Sequence, residues 1–265
     1  MQEVFRDGDT LYLDIDLPSA VLLDEQPDPA DDSRRHPNEC GAVWYSQSTV
    51  SHNDGVISEW LPQEGLGQTL TPAKPHAGAS QYTRDGIGFV MGENGGLAAQ
   101  DALVDAHSFT IAVRVHSDIG EGRSLATLNP DDHKNYLYLY EKDGKVGFAD
   151  QSDRLQLSLP SPKGPYWAVG SYHLGRLALS CFSEGQTPET VITSESSMDV
   201  AASMLGASTL FVGCRSHRKG IVKTLGQSVM SDVMLWIDRD CLDDTEGRET
   251  LNQACRYAEH AETPE

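Results

Sequence analysis

No apolar run in this 265-residue chain approaches the roughly 18 residues that a membrane-crossing helix needs, so a helical span is excluded. The opening Met1-Gln2-Glu3-Val4-Phe5-Arg6-Asp7-Gly8-Asp9 has neither the basic nor the apolar stretch of a secretory signal, and export by that route is not expected. Basic side chains are scarce. Twenty Lys and Arg against 40 Asp and Glu give a formal charge of −20 and a pI near 4.7, which argues against phosphate backbones and anionic lipid surfaces as partners. Cysteine is sparse and odd in number: Cys40, Cys181, Cys214, Cys241 and Cys255 show no Cys-x-x-Cys spacing. Neither a disulfide framework nor a zinc ribbon fits, and reduced thiols with structural roles are expected. Familiar catalytic signatures are missing too. There is no Gly-x-Ser-x-Gly elbow and no His-Glu-x-x-His, and Gly92-Glu93-Asn94-Gly95-Gly96 lacks the Lys-Ser/Thr of a phosphate loop.

What the chain does have is alternation. In Ser108 to His116, Phe109, Ile111, Val113 and Val115 fall on one side of a period-two ribbon, with Thr110, Ala112 and Arg114 on the other. Gln227 to Ile237 reads as a second strand, with Val229, Val233, Leu235 and Ile237 on one face and Asp232, Met234 and Trp236 on the opposite one. Two such strands more than a hundred residues apart predict a sheet closed by distant segments. Asn135 to Tyr140 alternates as well and runs into Asp143-Gly144 and then Val146-Gly147-Phe148, a hairpin. Asp54-Gly55 marks another turn between short apolar segments. At this length one large all-β domain can bury its own core. The spacing of short strands favours a sandwich over strands alternating with helices.

The ends read differently. Residues 1–40 look like an extended arm: Leu11 to Leu17 forms one strand, and an acidic, proline-punctuated run follows it to Asn38. One strand on a tether needs a partner, either the sandwich itself or a neighbouring subunit. The domain proper is placed at 41–240, with a short helix and acidic tail at 241–265.

The order Trp44-Tyr45, Asp54 to Trp60, Gly86-Ile87-Gly88-Phe89, Phe109 to Val115 and Ser231 to Trp236 resembles the concanavalin A-like lectin and glucanase superfamily, in its laminin G-like bacterial form. The resemblance covers about Ala42 to Tyr257. It implies a two-sheet antiparallel jelly-roll sandwich, a closing helix seated by Leu242, Leu251 and Ala254, and a structural Trp167. Because that superfamily contains glucanases and lyases, catalysis has to be weighed. A retaining glucanase of this fold is expected to carry Glu-x-Asp-x-x-Glu on one strand. No such segment occurs, and Glu59, Glu141, Asp150 and Asp153 do not recur at even spacing, so the expectation is binding without turnover.

Carbohydrate is the expected ligand. If Leu137 and Leu139 point inward, Tyr136, Tyr138 and Tyr140 form an exposed row on which sugar rings can stack, the alternative being cross-strand or arm-covered rings. The basic cluster that begins Cys214-Arg215-Ser216-His217 is either a solvated loop or the place to which an acidic polysaccharide is steered. Asn129, Asp131 and Asp132 offer oxygen ligands on one loop, and calcium is the cofactor such a loop would hold; a solvated acidic turn is the plainer reading. With no secretory signal and free thiols, the expected setting is a virion-like particle assembled in the cytoplasm. There the chain would be a head spike or fibre component used in host attachment, the arm contacting particle proteins or another copy. A structural decoration protein, and a hydrolase or lyase with an unrecognised site, are the alternatives.

Overall fold

A computed structural model of the chain describes residues 4–7, 10–13, 34–74, 80–130, 135–152, 154–217 and 222–261. Strands β1 (Val4–Asp7) and β2 (Thr10–Leu13) pair antiparallel in a small unit of their own, residues 1–33. Two strands thus replace the one expected, and residues 14–17 lie outside the described residues. The second unit begins at Arg34 rather than Gly41. His36 meets the Trp44 and Tyr257 rings edge-on, at 5.2 and 5.0 Å, and Cys40 is buried.

In that unit the chain runs through β3 (Ala42–Ser46), β4 (Val50–Asn53), β5 (Val56–Trp60), β6 (Thr71–Pro72), β7 (Gln81–Thr83), β8 (Gly86–Phe89), β9 (Leu97–Val104) and β10 (Ser108–His116). It continues through β11 (Arg123–Pro130), β12 (Leu137–Lys142), β13 (Lys145–Asp150), β14 (Gln156–Pro160), β15 (Tyr166–His173), β16 (Arg176–Ser183) and β17 (Ile192–Thr193). Helix α1 (Met198–Ser203), β18 (Ala207–Val212), β19 (Ser228–Ile237) and helix α2 (Thr245–Ala261) complete it. Among the described residues no helix is long and apolar enough to cross a membrane.

Two antiparallel sheets make the expected sandwich. The larger is ordered β17-β16-β15-β10-β19-β8-β7-β5-β4, with β3 also on β19; the smaller is ordered β14-β13-β12-β11-β18-β9-β6. The two strands of cleanest alternation, β10 and β19, are neighbours at the centre of the larger sheet. Phe109, Ile111, Val113 and Val115 enter the inter-sheet core as expected, and so do Leu137 and Leu139 from β12. The sheets approach closely enough that a Cβ on Gly170 would lie 3.0 Å from the Phe148 ring. Asp54-Gly55 and Asp143-Gly144 are both left-handed at two successive positions, the backbone that tight hairpins favour.

One expectation about β19 needs correction. Val115 pairs with Met230 while Arg114 pairs with Asp232, so Ser231 is an extra residue, a β-bulge. The bulge shifts the phase of the strand's first turn of alternation, and Met230 rather than Val229 enters the core. The face opposite the core is covered as well. Ala112, Met234, Trp167 and Trp236 are buried there beneath Leu251, Ala254, Cys255 and Ala258 of α2, with Leu242 alongside. All five thiols are free, four of them buried; burial pushes Cys181 up to about 11, and Cys214 and Cys241 up to about 12.

Candidate functional site

The smaller sheet has an outer face too, and it is built differently. Antiparallel register puts Tyr138 opposite Thr127 of β11 and Ala149 of β13, and Tyr140 opposite Gly147. Thr127 is in turn opposite Phe211 of β18. Directly opposed residues share a face, so Phe211, Thr127, Tyr138 and Ala149 form a transverse row across four strands.

The three tyrosines do share one face, as the alternation requires, but they are not an exposed row. Tyr138 and Tyr140 are only 7% and 8% exposed, and Tyr136 is half-buried. The reason lies on β13. A Cβ on Gly147 would sit 2.3 Å from Tyr140 Cζ, so the glycine supplies the slot into which that ring lies down across the sheet. The Tyr140 hydroxyl then accepts a 2.6 Å hydrogen bond from Gln156 Nε2 on β14. Successive ring centroids are 5.8 and 5.3 Å apart, a continuous floor.

The basic loop closes over this floor. Gly213, left-handed at φ +73°, turns the chain after β18, and Arg215 returns with its Cζ 3.7 Å above the centre of the Tyr138 ring. Arg215 Nε donates to Ser124 Oγ at 2.9 Å, and Ser124 Oγ donates to the Thr224 carbonyl at 2.9 Å. His217 packs edge-on against Phe211 at 5.0 Å, and its Nδ1 accepts from the Lys74 backbone N–H. That bond places the neutral ring's proton on Nε2. The tyrosine row and the basic loop, separate candidates in the sequence, are therefore one constellation.

Asn129 turns its amide group inward to donate to the Arg215 carbonyl at 3.0 Å, so it anchors the basic loop. Asp131 and Asp132, expected with it as calcium ligands, lie outside the described residues. Among the described residues no cluster of three or more His, Cys, Asp or Glu could hold a metal ion. Sequence reasoning missed Gln156 and Thr127. The signals were present: Gly147-x-Ala149 alternates opposite the tyrosines, and Gln156-Leu157-Ser158-Leu159 is a strand with polar groups on one side. Next to Asn135 lies an open depression of about 510 Å³ lined by Gln151, Ser152, Arg154 and Asp199.

No family model and no curated protein sequence matches the chain. Solved structures do share its fold. An arabinofuranosidase complexed with arabinofuranosyl-alpha-1,2-xylobiose superposes with a TM-score of 0.52 at 13% identity, covering 76% of this chain and 51% of that one, about half its length. Domain 4 of a GH43 extracellular arabinanase from Geobacillus stearothermophilus, in complex with arabinotriose, gives 0.52 at 13% identity over 80% of this chain and 97% of the domain. A mutant Trypanosoma rangeli sialidase displaying trans-sialidase activity gives 0.53 at 14% over 84% of this chain and 33% of that one. These similarities are of fold, and they overturn one expectation. Binding without turnover rested on missing motifs, whereas the sandwich is shared with glycoside hydrolases, so a missing motif is no ground for setting catalysis aside.

Proposed function

We propose that this chain is a carbohydrate-recognising sandwich domain, of concanavalin A-like type, with its site on the outer face of the smaller sheet. The observation that carries the reading is the stack of Arg215 on Tyr138, set on an aromatic floor that Tyr140 and Phe211 extend. The guanidinium, imidazole and amide groups on this buried floor can hydrogen-bond a sugar's hydroxyls, while the half-buried Tyr136 ring offers dispersion to its C–H faces. The likeness over nearly the whole of a domain solved with arabinotriose supports it. A second reading, a glycoside hydrolase or part of one, is supported by the hydrolases that share the sandwich. A setting in a phage-like particle, with surface polysaccharide as the target, belongs to the same proposal; cosedimentation of the protein with purified particles tests it.

Titration calorimetry against arabino-, xylo-, galacto- and uronic-acid oligosaccharides tests the main reading. Binding is expected, with a loss of about tenfold or more in Arg215→Ala, since a charge-assisted contact contributes about 1.5–3 kcal/mol. No binding to any member of the panel, or binding unchanged in the variant, overturns the site. Release of reducing ends or unsaturated sugars from the corresponding polysaccharides establishes the second reading instead.

A further inference from the structure

Acidic side chains outnumber basic ones two to one in this chain, and several of its arginines find them. Arg114 meets Glu184 and Asp232, Arg123 meets Glu121, Arg154 meets Asp199, and Arg176 meets Asp240 and Asp243. Arg215 does not. Among the described residues its guanidinium touches a ring and a serine hydroxyl and faces no carboxylate. The stack fixes the plane of the guanidinium, and the Nε bond to Ser124 fixes its rotation, so the fork formed by the two Nη groups is held in one orientation with no partner among the described residues. An arginine fork of this kind matches the two oxygens of a carboxylate in a planar, bidentate way.

A second observation points the same way. Thr127 is 1% exposed, and its Oγ1 has no hydrogen-bond partner among the described residues. It stands between Tyr138, which carries Arg215, and Phe211, which carries His217. Buried polar atoms in native proteins are ordinarily satisfied, and an orphan in the middle of a donor-rich face marks a place where a ligand completes the set. His217 adds an Nε2–H donor from the same loop, because its Nδ1 is taken by Lys74 N–H. The face thus offers donors more than acceptors, the complement of an anionic group.

We propose that the stacked guanidinium of Arg215 is a carboxylate subsite, and that the glycan bound here carries uronic acids. The inference rests on the carbohydrate reading above and narrows it to a substrate class. The net charge of −20 opposes an anionic ligand at long range, but at physiological ionic strength the Debye length is about 8 Å. Beyond that distance the acidic surface is largely screened, and the contact with Arg215 decides.

The test uses matched pairs in which stereochemistry is constant and charge is not. Oligogalacturonate, alginate and hyaluronan fragments are each compared by calorimetry with their carboxyl-reduced counterparts, in which a CH2OH replaces the carboxylate. Neutral arabino- and xylo-oligosaccharides and a sulfated galactan form further arms. At least one acidic oligomer is expected to bind about tenfold or more tighter than its reduced partner, in keeping with the strength of charge-assisted bidentate bonds. Arg215→Lys, which keeps the charge and loses the planar fork, is expected to erase most of that ratio, and Arg215→Gln all of it, with far-UV circular dichroism confirming the fold of each. Equal binding of acid and reduced forms, tighter binding of neutral oligomers, or preference for the sulfated galactan overturns the uronate inference while the carbohydrate reading stands. An acid preference that survives in both variants removes Arg215 from the role. Failure of every arm overturns the carbohydrate reading along with it.

Discussion

The two sheets bury aromatic residues on their outer faces in opposite ways. On the larger sheet an amphipathic helix roofs Trp167 and Trp236, and the indole N–H groups find acceptors inside. Trp236 Nε1 donates to the Cys40 carbonyl at 2.9 Å, Trp44 Nε1 to Asp232 at 2.8 Å and Trp167 Nε1 to Glu259 at 2.8 Å. On the smaller sheet the rings lie under a loop and one guanidinium, and Thr127 beside them has no hydrogen-bond partner among the described residues. A face roofed by a helix, with its indole donors matched, has that chemistry occupied in folding. A face covered by a cation whose fork meets no carboxylate among the described residues has donors that folding does not occupy.

That contrast can be broken first at its strongest point. Asp232 is fully buried; burial raises its pKa to about 6, with Arg114 and the Trp44 and Ser231 hydrogen bonds pulling back. Arg114→Met removes the partner and leaves a buried carboxylate, which is expected to cost about 3–5 kcal/mol in urea unfolding at neutral pH. Because the folded pKa lies above the unfolded value, Asp232 contributes most to stability below about pH 3.9 and loses that contribution as pH rises through the folded value. The deficit of the variant should therefore be larger at pH 8 than at pH 5. A deficit independent of pH would remove Asp232 as its cause.

The comparison itself is sharpened by one truncation on each face. Trp236→Ala beneath α2 is expected to cost about 3–5 kcal/mol. Tyr140→Ala, which loses a small three-ring cluster and the Gln156 bond, is expected to cost about 1–3 kcal/mol. Equal denaturant midpoints for the two variants would mean that the smaller sheet's outer face is as much a core as the larger one's. The smallest effect is at Asp150, at the end of β13 near the rings. Burial pushes its carboxyl up, but hydrogen bonds from Ser152, the Leu155 N–H and Asn135 hold it below the ordinary range. Its contribution is complete above about pH 3.9 and is lost as pH falls through the folded value. Asp150→Asn should therefore cost about 1 kcal/mol at pH 7 and progressively less in acid; a constant cost down to pH 2 would contradict this.

The core was legible wherever side chains alternate without interruption. Phe109 to Val115, Leu137 and Leu139 needed nothing beyond period two, and the Asp-Gly turns declared their hairpins. The outward residues were not legible, because whether Ala112 or Trp236 meets water depends on where Leu251 and Ala254 fold back, a contact across the chain that no local pattern encodes. Tyr138 and Tyr140 were placed on the right face with the wrong exposure. What decides exposure is the size of Gly147 and Ala149 on the next strand, and pairing has to be known before those residues count. Likewise Arg215 and the tyrosines stand some 75 residues apart in the sequence, and only the β12-β11-β18 order joins them.

The bulge at Ser231 carries an evolutionary constraint. A Cβ on Gly86 would come within 2.4 Å of the Met230 carbonyl oxygen and 3.0 Å of Ser231 Cα, and Gly86 itself sits at φ +131°. The neighbouring strand has thus given up a side chain where the bulged backbone swells toward it. Neither position can drift alone: a larger residue at 86 collides while the extra residue is present, and deleting Ser231 re-phases Val229 and Met230 while leaving a gap above the glycine. The two sites are epistatic, and among descendants of this chain a side chain at position 86 should be found together with a straightened β19.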